Sequence, residues 1–225
     1  MTSVYTTLAG GPQEQWSAGS SWLVCEPERT NLMVYGVKFS MDVWAKNSRA
    51  QAHVRTAYDV IFSPLDHNSC YECGLGVNDH RCDGFIYTSD GRVSVFVELK
   101  DRKTPNKNLD EIAQACVDAN SMSNVGKEDQ DEWLPKAVIQ LKESILRFKK
   151  TNPKESSLFP SVQLACVANR KTGYNQEFMA ESTKENFKQI TGFSLRINTY
   201  IEIETMPPAI RLRILNDKLI DEMVS

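Results

Sequence analysis

The 225-residue sequence has no run of about 18 consecutive apolar residues, so we expect no membrane-spanning helix and no membrane partner. Its first residues lack the basic start and apolar run of a secretory signal, and we therefore expect a cytoplasmic protein. Basic residues are not in excess, because 26 Lys and Arg face 29 Asp and Glu for a net charge of −3. Any surface for nucleic acid must therefore be local.

Histidines are also few, since the chain has three of them, widely spread, beside six cysteines. No cysteine has an evident base partner, which argues against a catalytic cysteine. Without a secretion signal, the cysteines are expected to be reduced thiols or metal ligands rather than disulfides.

What the chain does contain is an ordinary globular composition, with 41% hydrophobic and 24% charged residues. We predict one domain over residues 1–225, since this length can bury a single core. The Thr-, Ser- and Gly-rich residues 1–21 indicate a loose N-terminal arm. Residues 209–223 have the apolar spacing of a terminal amphipathic helix.

Apolar spacing between these ends predicts helices packed on a mixed sheet. The predicted elements are a strand or buried segment at 31–45, helices at 49–62, 109–125 and 131–150, and strands at 161–168 and 193–204.

The clearest signal is a hairpin, in which the runs DGFIYT and RVSVFVELK flank Asp90-Gly91. With these two residues in the turn, paired residue numbers sum to 181, so Asp83 faces Glu98. Lys100 lies two residues further along the same face. Opposed carboxylates repel each other, and a hard cation such as Mg²⁺ removes that repulsion and lowers the pKa of its bound water. The pattern favours phosphodiester hydrolysis, with a salt-bridged cluster on a solvated sheet face as the alternative.

Asp83, the hairpin and Glu98-Leu99-Lys100 together resemble the PD-(D/E)xK nuclease superfamily. The resemblance implies an α/β protein with a restriction-endonuclease-like αβββαβ core, in which helices flank a mixed central sheet. It covers Asp83 to Lys100 closely, and the predicted helix and strand over 131–168 follow in the same order. Cys82 stands where the family name has proline.

This resemblance implies an endonuclease that depends on Mg²⁺ or Mn²⁺. Asp83, Glu98 and the backbone carbonyl of Leu99 would be the metal ligands, and Lys100 would act on the attacking water. Gln140 would add a polar group from the helix that follows, an ordinary boundary residue being the alternative. The first helix of the family often adds an acid, for which Asp59 is the candidate and an exposed helix residue the alternative.

The partner implied by the resemblance is nucleic acid, DNA rather than RNA. The chain could cut as a homodimer or work within a larger restriction or phage-defence complex. Local basic residues such as Lys103 and Arg170 could contact phosphates, although a solvated face explains them equally well. The alternative function is a catalytically silent scaffold or nucleic-acid-binding subunit of a larger complex.

A second candidate metal set overlaps the hairpin, because Cys70 and Cys73 have the spacing of a zinc knuckle that His80 and Cys82 could complete. On a strand, Cys82 would lie on the face opposite Asp83, which favours a structural zinc behind the hairpin. The alternatives are a buried Cys82 beside two loop thiols, or a zinc-stabilised interaction domain unrelated to nucleases.

Overall fold

The structure is a computed structural model that describes residues 12–27, 33–46, 51–65, 81–100, 133–151, 162–169, 181–204 and 209–213. The strands in these ranges are β1 Glu14–Trp16, β2 Ser20–Cys25, β3 Tyr35–Lys38, β4 Gln51–Thr56, β5 Val60–Pro64, β6 Gly84–Thr88, β7 Val93–Lys100, β8 Val162–Asn169, β9 Ser194–Ile197, β10 Tyr200–Glu204 and β11 Ala209–Arg213. The helices are α1 Met41–Lys46, α2 Trp133–Thr151 and α3 Glu181–Thr191.

These strands form two mixed sheets. The first sheet has the order β1-β5-β6-β7-β8-β9, in which β7, β8 and β9 are parallel and the other neighbours antiparallel. The second has the order β11-β10-β4-β2-β3, with β10 and β4 parallel. The chain is therefore an α/β fold with mixed sheets flanked by helices, as the sequence predicts at this coarse level.

One face of the first sheet is covered by α2, whose apolar side chains recur every three or four residues. The helix predicted at 131–150 is confirmed as α2. Its buried members are Leu134, Ala137, Val138, Leu141, Ile145 and Phe148, and Trp133 packs partly buried beside them. From the sheet, Phe85 and Phe96 meet Phe148 with ring centroids 5.0 and 5.6 Å away.

The opposite face of the first sheet packs against the second sheet. Alternation along β7 sends Phe96 toward α2 and sends Val95, Val97 and Leu99 into this second core. There they join residues of β2, β4 and β10. Because both faces are covered, β7 is an almost uninterrupted apolar run, and the charges at its end are exceptions.

The hairpin has the predicted register, since Gly84 pairs with Val97 and Phe85 with Phe96. Its turn is tightened by Gly91, which has a φ of 72° and donates its amide to the Thr88 carbonyl over 2.9 Å. A positive φ favours glycine there because it has no Cβ to clash with the backbone. Continued by one residue toward the open end, this register places Asp83 opposite Glu98.

The predicted helix at 49–62 is wrong, because β4 and β5 occupy this segment. Ala52 and Val54 enter the core between the sheets, whereas His53 stacks on Phe39 outside it. This is the two-residue period of a strand, and the Val and Thr residues of the segment have strand propensity. The alanines and Tyr58 suggested a helical face that the structure does not form.

The two predicted chain ends also need correction. Within residues 1–21, Glu14–Trp16 pairs with β5 and Ser20 begins β2, so the part of the arm that is described belongs to the sheets. Trp16 is buried against Phe62 at a centroid distance of 4.9 Å. At the other end, Ala209–Arg213 pairs with β10 as a strand, which replaces the start of the predicted helix at 209–223.

The predicted strand at 193–204 is two strands in different sheets. Asn198 donates its amide to Val167 of the first sheet over 3.0 Å, and the Thr199 carbonyl accepts from His53 of the second over 2.7 Å. The chain therefore changes sheets between these two residues. The predicted helix at 109–125 lies outside the described residues. No described helix is long and apolar enough to cross a bilayer.

Candidate active site

The candidate site lies at the open end of the hairpin, on the face that carries α2. Glu98 and Lys100 end β7, and Asp83 directly precedes β6. The register places Asp83 opposite Glu98. The Asp83 carbonyl accepts the Leu65 amide over 2.9 Å, which extends the pairing of β5 to this point.

The Asp83 carboxylate replaces a hydrogen bond of the sheet. Its Oδ2 accepts the Leu99 amide over 2.5 Å, whereas a register continued beyond Gly84 and Val97 would bring Cys82 opposite Leu99. In an antiparallel pair the N–H and C=O of one residue point toward the same neighbour. The Leu99 carbonyl therefore faces the side of the strand on which Asp83 lies.

Lys100 connects the acids to the helix. Its Nζ donates to Glu98 Oε1 in an ion pair and to Gln140 Oε1 over 3.0 Å. The Glu98 side chain is 1% exposed and that of Lys100 is 15% exposed. Gln140 also donates from Nε2 to the Arg81 carbonyl over 2.9 Å. The four predicted catalytic residues, Asp83, Glu98, Lys100 and Gln140, therefore meet at one place.

The charge of Lys100 is stabilised by its surroundings. Burial, the largest single influence, acts to lower its pKa, but the carboxylates of Glu98, Asp83 and Glu26 together outweigh burial, and the pKa is raised above its ordinary value. Lys100 is thus an ammonium ion held among carboxylates, able to orient a water or offset negative charge on a phosphate.

Sequence reasoning missed two neighbours of this cluster. Glu26, exposed just after β2, helps to raise the pKa of Lys100 because the second sheet packs on the first, and no local sequence pattern predicts this influence. Asn169 ends β8 directly opposite Lys100 and is 1% exposed. The sequence signal for Asn169 was a polar residue at the end of the apolar strand β8. Because β8 is parallel to β7, its end lies at the same edge of the sheet as Glu98 and Lys100.

Asp59 does not belong to the cluster. It lies between β4 and β5, where its Oδ1 accepts the Ala18 amide over 2.8 Å. The adjacent Val60 pairs with Thr88 at the turn end of the hairpin, whereas Asp83 is at the open end. The two acids are a strand length apart, about 15 Å. The proposed acid from a first helix is therefore wrong.

The predicted zinc set is described only at Cys82, because Cys70, Cys73 and His80 lie outside the described residues. Cys82 precedes β6 and is fully buried in the core under α2, so the prediction that it faces away from the catalytic side is wrong. Its amide donates to Ser144 Oγ over 2.8 Å. Cys82 thus occupies the place of a small buried apolar residue.

The donor set at the site suits a hard cation that retains water. Among the residues that the structure describes, no three His, Cys, Asp or Glu side chains gather into a metal-binding group. Asp83 and Glu98 supply two carboxylates, and the strand geometry turns the Leu99 carbonyl toward the β6 side, where Asp83 lies. Mg²⁺ is commonly held by one or two carboxylates with the rest of its shell as water, so these residues fit it.

Comparison of the chain with protein-family models, with curated proteins and with solved structures finds no match.

Proposed function

We propose that the chain is a Mg²⁺- or Mn²⁺-dependent nuclease that hydrolyses phosphodiester bonds, with DNA as the preferred substrate. The observation that supports this most directly is the meeting of Asp83, Glu98 and Lys100, which the numbering of one hairpin predicts, with Gln140 from a separate helix. Charges are expensive to bury, and here an acid–base cluster stands at the end of an apolar strand.

The roles follow from the positions. Asp83, Glu98 and the Leu99 carbonyl would hold the metal, which would supply a water of lowered pKa and charge stabilisation. Lys100, fixed by Gln140 Oε1, presents an ammonium group beside both carboxylates. That group would orient the attacking water or balance the charge on the phosphate.

The order of elements also supports a restriction-endonuclease-like core. β5, β6 and β7 form an antiparallel meander, α2 follows after an interval, and β8 returns parallel to β7. This order agrees with the βββαβ part of the expected core. The described segment directly before it is β4 of the second sheet and not the expected helix, so the resemblance rests on the later elements. A homodimer and a role in phage defence are extensions of the same proposal.

A cleavage assay tests the proposal directly. Plasmid DNA, single-stranded DNA and RNA would be incubated with the protein in Mg²⁺, Mn²⁺ or EDTA. We expect metal-dependent cutting that falls about 10²- to 10⁴-fold in Asp83→Ala and Lys100→Ala, the range for removing a positioned catalytic group. Lys184→Ala is the matched control, because Lys184 forms an ion pair with Glu181 on α3 over 3.0 Å. Cutting that persists in the site variants would refute the assignment.

The competing proposal, a catalytically silent scaffold, is favoured by one observation. Lys100 already satisfies Glu98 Oε1 directly, as a purely structural ion pair would. The two proposals differ in metal binding, which calorimetric titration with Mn²⁺ measures. Binding lost in Asp83→Ala favours the nuclease even if an activating partner is required for cutting, and absence of binding favours the scaffold.

A further inference from the structure

We propose that Ser144 is a positioning residue that keeps the β6–β7 ladder open at Leu99, so that the Leu99 carbonyl faces the metal site. This inference rests on the proposed function and extends it to a residue that does not touch the metal.

The ladder would continue through Cys82 and Leu99 if only backbone groups were involved. The last pair of β6 and β7 is Gly84 with Val97, and a register continued two residues further would make Cys82 and Leu99 direct partners. The Leu99 amide points toward the β6 side, where it meets Asp83 Oδ2. In such a pair the Leu99 amide would bond the Cys82 carbonyl, and the Cys82 amide would bond the Leu99 carbonyl.

Side chains take both amides instead. Leu99 donates to Asp83 Oδ2 over 2.5 Å, and Cys82 donates to Ser144 Oγ over 2.8 Å. The Cys82 amide, which would otherwise donate to the Leu99 carbonyl, therefore points toward α2. Ser144 and Cys82 are both fully buried, so water cannot substitute for this bond.

Gln140 acts on the same segment from one helical turn earlier. Its Nε2 donates to the Arg81 carbonyl over 2.9 Å, while its Oε1 accepts from Lys100. Residues four apart on a helix lie on the same face, so Gln140 and Ser144 hold Arg81 and Cys82 in succession. The segment that leads into Asp83 is thus set by α2 as well as by the sheet.

A serine is suited to this position in α2. Its hydroxyl is a short acceptor that reaches a neighbouring backbone amide, and alanine of similar size would leave that amide without its partner. The sequence QLKES places Gln140 and Ser144 four residues apart. The sequence does not show that the Ser144 hydroxyl accepts the Cys82 amide, because this contact depends on the packing of Cys82 against α2.

The first test needs no metal. Scalar coupling across a hydrogen bond, from the Cys82 amide ¹⁵N to the Leu99 carbonyl ¹³C, reports whether the ladder is closed. We expect the coupling to be absent in the wild type, present in Ser144→Ala and absent in Ser144→Thr, which keeps the hydroxyl. Coupling in the wild type, or none in Ser144→Ala, would overturn the proposal.

The second test is Mn²⁺ affinity. Ser144→Ala should bind about 10- to 100-fold more weakly, the usual effect of removing a group that orients a ligand, and Ser144→Thr should recover most of the loss. Val138→Ala is the matched control, because Val138 is an equally buried α2 residue of the core under the helix. If Ser144 acts by positioning, Val138→Ala should lower the free energy of unfolding but change the Mn²⁺ affinity less than about threefold.

The outcomes separate the two proposals. A wild type that binds no Mn²⁺ in an Asp83-dependent way would defeat the proposed function, and the coupling experiment would still decide whether Ser144 holds the ladder open. Equal affinity in the wild type and Ser144→Ala would overturn the positioning role alone.

Discussion

Lys100 is largely buried and His53 is fully buried, and both are basic side chains on central strands, but the first stays charged and the second stays neutral. Lys100 keeps its charge, because carboxylates of the site outweigh burial and raise its pKa. His53 is fully buried between Phe39 and Tyr200, at centroid distances of 4.5 and 4.8 Å. Burial, with Arg55 nearby, lowers its pKa to about 3.

The two pKa shifts differ in direction because Lys100 has carboxylates around it and His53 does not. Within the described part of the chain, neither ring nitrogen of His53 has a hydrogen-bond partner, and no carboxylate is among the causes of its pKa shift. Lys100 instead has an ion pair and an amide acceptor. A buried group without counter-charges becomes neutral, whereas one with them stays ionised. The candidate site is therefore a region whose charge the fold actively maintains.

The largest expected effect comes from removing the carboxylate that pairs with Lys100. Glu98→Gln would leave the buried ammonium without its closest counter-charge, and we expect the free energy of unfolding to fall by roughly 3–5 kcal/mol. Urea unfolding monitored by circular dichroism measures it.

The double variant Glu98→Gln with Lys100→Met provides the control, because it removes both charges. Replacing a whole buried pair is often nearly neutral, so we expect it to recover most of the lost stability. If the double variant were as unstable as Glu98→Gln alone, the loss would not arise from a stranded charge.

An intermediate effect is expected from His53. The unfolded chain takes up a proton near pH 6.5, whereas the folded state resists protonation until about pH 3, so stability falls as the pH drops through this window. Between pH 7 and pH 5 the loss from this group should be about 2 kcal/mol. The measurement is urea unfolding at both pH values for the wild type and for His53→Phe.

In His53→Phe, the ring remains but the titration is gone, so the fall in stability should be smaller by about the same amount. Equal pH dependence in the two proteins would mean that His53 is protonated at little cost in the fold, and the contrast with Lys100 would disappear.

How far the sequence predicts the site follows from the hairpin. Its strands alternate strongly and its turn is marked by Asp90-Gly91, so the numbering alone places Asp83 opposite Glu98 and Lys100 on their face. Gln140 is expected from the family resemblance, and its position beside the apolar residues Ala137 and Leu141 of α2 agrees with that expectation. Glu26 could not be predicted in this way, since it approaches through the packing of two sheets.

Outside the hairpin, the fold is predicted well where the signal is long and uninterrupted, as in the apolar period of α2 and the continuous apolar run of β8. α2 and β8 are found where expected. The segment 49–62 is misread because β4 and β5 are short strands, and their alanines and aromatic residues fit either period. The second sheet is not predicted for the same reason, since all five of its strands have four to six residues and several pair with strands distant in the chain.

The smallest expected effect sharpens the contrast within the hairpin itself. Asp90 at the turn resembles Asp83 at the open end, because each carboxylate accepts a backbone amide, that of Arg92 over 3.1 Å and that of Leu99 over 2.5 Å. The Asp90 side chain is 44% exposed, and its other partners are Thr88 and the Arg92 guanidinium. Burial acts first to raise its pKa, but these hydrogen bonds outweigh it and lower the pKa.

Solvent screens the exposed ion pair between Asp90 and Arg92, so Asp90→Ala should lower the free energy of unfolding by less than about 1 kcal/mol. It should leave Mn²⁺ affinity and cleavage at the wild-type level, whereas Asp83→Ala should lose both. Calorimetric titration and the plasmid assay, run on the two variants in parallel, measure this. Equal losses in both variants would mean that the carboxylates act only by stabilising the hairpin, and that its open end has no chemistry of its own.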